Sequence, residues 1–143
     1  MQQYILGDSR EALLDLGDSS VECVYMDPPF NSDANYRLNP DSELGFDDRF
    51  ESKSAYARVI EPIVSQCARV LKDDGSLFFH ISAEQMLVPH MICAKHFKKV
   101  QPIFWKKSRS KNNVKSKLGA TIDVIFWCTN SSKPKFNMVY QPL

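Results

Sequence analysis

The sequence predicts an α/β domain built on a mixed sheet that ends in an antiparallel strand pair. Three observations predict it. Apolar runs of strand length alternate with helical patterns as far as His96, and two strand-like runs then follow with no helix between them. The chain has 143 residues, 43% apolar and 24% charged, which is the length and composition of one globular domain.

In order, Gln3–Leu6 is a short apolar run ended by Gly7-Asp8 and reads as a strand and turn. Ser9 is placed to cap a helix through Leu16, with Ala12, Leu13 and Leu16 on one face and Gly17 ending it. Ser20–Met26 reads as a strand, stopped by Asp27-Pro28-Pro29. Residues 31–51 are rich in Asn, Asp and Ser and read as a long loop, of the kind that usually carries function. Val59, Ile60, Ile63, Val64, Cys67, Val70 and Leu71 recur at helical spacing and predict a helix over Ser54–Lys72, kinked by Pro62 or starting after it. Asp74-Gly75 turns into a buried strand, Ser76–Ile81; Ala83–His96 is a second helix interrupted by Pro89. Lys99–Lys106 and Thr121–Thr129 are the final strands, joined by a polar loop over 108–118.

No run approaches the roughly 20 apolar residues of a membrane span, and the N-terminus lacks a basic-then-apolar signal, so a cytoplasmic protein is expected. Cys23, Cys67, Cys93 and Cys128 form no close pair of the C-x-x-C kind and read as reduced packing residues. His80, His90 and His96 stand at ligand spacing from no cysteine or carboxylate, so no metal site is expected. The net charge of +1 hides a division: residues 1–51 carry twelve acids against three arginines, whereas 95–135 carry eleven bases against Asp123 alone. A basic segment of that density suits a polyanion, and equally a solvated face.

Val24-Tyr25-Met26-Asp27-Pro28-Pro29-Phe30-Asn31 carries the chemistry. A strand that runs into Asp-Pro-Pro-aromatic sets a carboxylate at the carboxyl end of a sheet strand, where open α/β sheets bind ligands. Asp27 and the Pro28 carbonyl each accept an N–H, and neither proline offers a donor to compete. Two such acceptors suit an exocyclic amine, drawing its nitrogen toward tetrahedral geometry and freeing the lone pair. Phe30 offers a stacking face for an unstacked base, worth about 1–3 kcal/mol.

These residues resemble the amino-group DNA methyltransferases, which act on adenine N6 or cytosine N4. The match is to the group in which the catalytic motif precedes the S-adenosylmethionine motif, type III modification subunits included. The resemblance rests on Gly7-Asp8-Ser9, Asp18-Ser19-Ser20-Val21-Glu22, Asp27-Pro28-Pro29-Phe30-Asn31, Arg69–Ser76, Leu77–Ile81 and Phe104-Trp105-Lys106-Lys107. It implies a partial Rossmann-like methyltransferase fold and S-adenosylmethionine as cofactor. Asp27, Pro28, Pro29 and Phe30 would form the catalytic motif, and Asp8, Asp27 and Pro28 would meet the cofactor. Trp105 would line the base pocket or pack in the core. Asn31, Lys106, Lys107, Arg109, Lys111, Asn112, Lys115 and Lys117 would face double-stranded DNA. The Asp form of the motif leans to adenine.

The sequence departs from the family in one respect. Its five glycines, Gly7, Gly17, Gly45, Gly75 and Gly119, build no glycine-rich turn. Residues 1–143 are therefore expected to be a single catalytic-motif domain without the glycine-rich cofactor segment. It would be a piece of a longer enzyme, a half completed by a second chain, or a non-catalytic nucleic-acid-binding module. Cytosine N4, RNA and protein amides stay open as acceptors.

Overall fold

The computed structural model describes residues 4–32, 35–37, 45–108 and 120–137. Strands β1 (Val21–Met26), β4 (Leu71–Ser82), β5 (Lys99–Lys106) and β6 (Ile122–Thr129) form one mixed sheet in the order β1-β4-β6-β5. β1 and β4 run parallel, because helix α2 (Lys53–Val70) carries the chain back between them. β6 lies antiparallel to both β4 and β5, and the C-terminal strand pair is antiparallel as expected. Helix α3 (Leu87–His96) joins β4 to β5.

One face of the sheet builds the core. In register, Val24 and Met26 of β1, Leu77, Phe79 and Ile81 of β4, and Val124, Phe126 and Cys128 of β6 alternate onto the same side. Tyr56, Ile60, Val64, Cys67 and Val70 of α2, with Ile92 and Cys93 of α3, close over them. Each fully buried large side chain contributes about 1.5–3 kcal/mol, which makes this layer the main source of stability. Burial pushes the Cys67 thiol up to about 11, in keeping with a protonated packing residue. Cys23 departs from the expectation for the cysteines: it is free and exposed on the opposite face.

Several elements differ from expectation for local reasons. Residues 4–6 form no strand and stand exposed, because no described strand lies beside them. The first helix is shorter than Ser9–Leu16. A single α turn, α1 (Ser9–Ala12), passes into a 3-10 turn over Leu13–Asp15, and its N-cap is Asp8 rather than Ser9. Arg69 at the end of α2 reaches across to donate to the Leu13 and Leu16 carbonyls and pairs with Asp18, so the early stop leaves those carbonyls satisfied. α2 runs unbroken through Pro62, which is exposed, and the Arg58 carbonyl it deprives of a partner lies on the same wetted side. Pro89 is the third residue of α3, inside the first turn, where a missing N–H costs nothing. The segment read as a loop over 31–51 contains a small antiparallel ribbon, β2 (Asn35–Arg37) with β3 (Gly45–Asp47). The expected loop over 108–118 lies almost wholly outside the described residues.

β4 begins earlier than Ser76 and bulges. Val21 pairs with Leu71, but Cys23 already pairs with Ser76, so the residues between them loop out of the ladder. Gly75 closes that loop: a Cβ there would lie 3.0 Å from both the Glu22 and Lys72 backbone oxygens. Gly75→Ala is expected to cost about 1–3 kcal/mol, because neither backbone can yield without opening the ladder. The urea midpoint followed by circular dichroism checks it. Glu22 meets Lys135 at 2.8 Å and Lys72 at 3.1 Å, and these ammonium groups hold its carboxyl at about 2, below its ordinary 4.5. A lowered folded-state value means that the pairing stabilises the fold fully above 4.5 and is lost as pH falls toward 2. Glu22→Gln is therefore expected to lower the midpoint near neutrality and to converge with the unaltered protein in acid, by a modest margin because the pair is solvated.

Candidate active site at the carboxyl end of β1

The second face of the sheet carries different chemistry. β1 alternates, so Tyr25 and then Asp27 point away from the core while Met26 points into it. Tyr25 pairs with Phe78, which puts His80 two residues further along β4 on that same face. On β6, Ile125 pairs with His80, and Asp123 stands one side-chain step beyond it. On β5, Trp105 pairs with Asp123. Four strands thus bring Asp27, His80, Asp123 and Trp105 together.

Their contacts form a chain. His80 Nδ1 lies 3.2 Å from Asp27 Oδ1 and 3.1 Å from the Tyr25 hydroxyl. His80 Nε2 lies 3.3 Å from Asp123 Oδ2, and Asp123 Oδ1 accepts from Lys107 Nζ at 2.7 Å. Phe30 meets the imidazole edge-on at 5.2 Å between centroids, and Trp105 tilts against it at 5.4 Å. Burial, with the Asp27 and Asp123 carboxylates nearby, raises the Tyr25 phenol above its ordinary value and keeps its proton in place. The two carboxylates approach opposite ring nitrogens. Among the described residues no cluster of three His, Cys, Asp or Glu side chains is arranged to hold a metal ion.

His80 and Asp123 are the residues that sequence reasoning missed. No partner stands near His80 along the chain; its partners arrive from β1 and β6. The available signal was a polar break in each apolar strand. His80 interrupts Leu77-Phe78-Phe79 and Ile81, and Asp123 is the only acid in the basic segment 95–135.

Asp27 itself stays accessible, with a side chain 57% exposed. The turn that follows is pinned. Asn31 takes a positive φ of 56°, and the buried Asp48, the residue after β3, accepts from the Asn31 N–H at 2.7 Å, the Ser32 N–H at 2.9 Å and the Ser32 hydroxyl. Phe30, half-buried beside the core, is thereby fixed next to Asp27. Asn31 thus spends its N–H inside the protein.

On the other side of Asp27 a cleft of about 490 Å³ runs along the free edge of β1. Asp8, Ser9 and Arg10 line one end, Asp27, Pro28 and Pro29 the other, and Leu13, Val24, Val59 and Ile63 lie between. The expected cofactor residues Asp8, Asp27 and Pro28 therefore share one cavity. Asp8 caps α1 through the Arg10 N–H at 2.8 Å, and the hydrogen-bonded Arg10 guanidinium holds its carboxyl at about 2. Of the expected DNA-facing residues, Lys106 is exposed, and Lys107 turns inward to Asp123. Arg109, Lys111, Asn112, Lys115 and Lys117 lie outside the described residues.

Residues 21–141 match the family model described as DNA methylase, N6 and N4 type. The chain is 23% identical over its whole length to the type II methyltransferase M.HinfI of Haemophilus influenzae, covering 42% of that protein. It is 26% identical over 90% of its length to the DNA adenine methyltransferase YhdJ of Escherichia coli K12, covering 41%. The chain thus spans about two-fifths of the curated relatives it matches. Its fold superposes on the cytosine-N4-specific PvuII DNA methyltransferase with a TM-score of 0.61 at 17% identity, over 90% of this chain and 49% of that one. The M1.HpyAVI–S-adenosylmethionine complex matches with a TM-score of 0.57 at 15% identity, over all of this chain and 65% of that one. With a methyltransferase-like sheet, an Asp-Pro-Pro-Phe turn at its carboxyl edge and a family match over most of its length, the chain belongs to the N6/N4 amino-group DNA methylase family.

Proposed function

We propose that this chain supplies the target-amine half of an S-adenosylmethionine-dependent adenine N6 DNA methyltransferase. The observation that carries the reading is the position of Asp27. It sits between a cofactor-sized cleft on one side and the Phe30, His80 and Trp105 rings on the other.

The residues do the following. Phe30 stacks the base once it leaves the duplex. Asp27 accepts one amine N–H and the Pro28 carbonyl accepts the second, which turns the nitrogen lone pair toward the cleft. Fixing the amine in that attitude lowers the barrier by orientation and by a preorganised field, with no covalent enzyme intermediate. The cleft fits an adenosine-bearing cofactor in its chemistry: apolar side chains along its length and polar groups at both ends, in the size range of small-molecule sites. Asp8 and Asp27 with Pro28 would hold that cofactor, which when bound supplies the electrophilic methyl group. Asp8 would have to share its carboxylate with Arg10 to do so.

Two features support a contribution from further polypeptide, either another segment or a second chain. The sequence holds no glycine-rich turn, and the β1 edge beside the cleft pairs with no described strand. Double-stranded DNA is the proposed macromolecular substrate. Asn31, Lys106, Arg109, Lys111, Asn112, Lys115 and Lys117 form the proposed contact set, while Lys107, expected from the sequence to join them, stays paired with Asp123. Their contribution is sequence-independent and weakens with salt.

Adenine is favoured over cytosine by the Asp at position 27 and by the naming of the YhdJ relative. The test is allele replacement in the encoding organism, so that whatever completes the site is present. Asp27→Ala is expected to remove N6-methyladenine from one sequence motif, a fall of at least about 100-fold by nucleoside mass spectrometry and modification-sensitive sequencing. The purified variant should keep its circular dichroism spectrum. Full adenine methylation in the variant contradicts the reading. Loss of N4-methylcytosine instead transfers the same mechanism to cytosine. No change in either base on deleting the gene favours the non-catalytic binding module.

A further inference from the structure

Building on the reading of Asp27 as the amine acceptor, we propose that His80 is the positioning residue for its carboxylate, itself locked in place by Asp123 and Lys107.

Asp27 follows the last paired residue of β1 and its side chain is 57% exposed, so packing alone holds it weakly. The Tyr25 phenol lies near enough to feel the Asp27 charge, and among the described residues the ion-pair contact of Asp27 is the His80 ring. That ring is fixed from every side. Asp123 holds Nε2, the Tyr25 hydroxyl lies beside Nδ1, Phe30 meets the ring edge-on and Trp105 tilts against it. Asp123 is 6% exposed and held by Lys107 from the segment after β5. A carboxylate only accepts, so holding both Asp27 and Asp123 takes a ring protonated at both nitrogens. Such a ring donates Nε2–H to Asp123 and Nδ1–H to Asp27, a proton the Tyr25 hydroxyl oxygen also approaches. Asp27 then keeps its second oxygen free for the amine.

The expense of the arrangement points the same way. β4 and β6 are apolar strands, and an imidazole and a carboxylate buried in them forgo hydration that a pair of apolar side chains would not need. The four groups that face His80 are Tyr25, Asp27, Asp123 and, through Asp123, Lys107. Among the described residues no other titratable side chain pairs with the ring nitrogens.

The test uses the intact protein purified from its own organism with whatever accompanies it. Steady-state methyl transfer to DNA is compared for His80→Asn, His80→Gln and His80→Phe. The asparagine amide nitrogen overlays Nδ1 and keeps a donor for Asp27. The glutamine amide overlays Nε2 and serves Asp123 alone, and phenylalanine keeps only the ring volume. Positioning predicts that kcat in His80→Asn stays within about threefold, and that it falls about 30-fold or more in the other two while KM for DNA moves little. Packing alone predicts the reverse order, with phenylalanine best and asparagine worst, and that order overturns the proposal, as does a loss carried by KM.

Because a buried substitution can weaken the fold, a second measurement stands beside it. The ¹⁵N resonances of the His80 ring are followed in the unaltered protein and in Asp27→Asn, which changes an exposed residue. A shift at Nδ1 supports the contact, and an unchanged ring overturns it. Absence of methylation by the unaltered protein counts against the function proposed above. The ring resonances then decide the Asp27–His80 contact by themselves.

Discussion

Pro28 and Pro29 have no backbone N–H, so the ladder between β1 and β4 cannot continue past Met26, and the residue held at that break is Asp27. The site depends on this constraint. A strand that ended in ordinary residues would fray or keep pairing, and its carboxylate would lie along the sheet. Here the chain is made to leave the sheet with the carboxylate at the rim. Asp48 then fixes the exit by accepting two backbone N–H groups and a hydroxyl, from a residue that arrives only after the β2–β3 ribbon. Phe30 owes its place beside Asp27 to that distant clamp as much as to its neighbours in sequence.

The two faces of β4 show how one strand serves fold and chemistry together. Leu77, Phe79 and Ile81 are fully buried against the helices and carry the stability of the domain. Phe78 and His80 point the other way, toward Tyr25, Trp127 and Trp105. The period of two lets the core hold the backbone rigidly while the opposite side presents side chains to a reaction. The antiparallel return of β6 is what delivers Asp123 to that side. In an all-parallel sheet the acid would arrive at the far end.

Much of this was legible in the sequence, because it is written in short-range patterns. The order of strands and helices, the antiparallel pair, and the break at Asp27-Pro28-Pro29 follow from periodicity and proline chemistry. Helix continuity through Pro62 was not legible, since it depends on which side of α2 meets water. Nor was the absence of a strand over residues 4–6, since a strand needs a neighbour and no local pattern reveals one. The candidate site divided in the same way. Asp27, Pro28 and Phe30 lie within four residues and could be read directly. His80, Asp123 and Asp48 join them through strand register and a long excursion. A titratable residue in an apolar strand was the trace left by the first two, and Asp48, in a polar segment, left none. Lys107 read as a DNA-facing cation, although the structure pairs it with Asp123.

The central claim is that the target base stacks on Phe30 beside Asp27, and photochemical crosslinking addresses that stacking directly. Duplex DNA with 5-iodouracil in place of the methylated base is irradiated with the intact protein and the adducted peptide is sequenced. The account predicts a crosslink at Phe30, lost in Phe30→Leu. A crosslink confined to other residues, with Phe30 unmodified at saturating DNA, would contradict it.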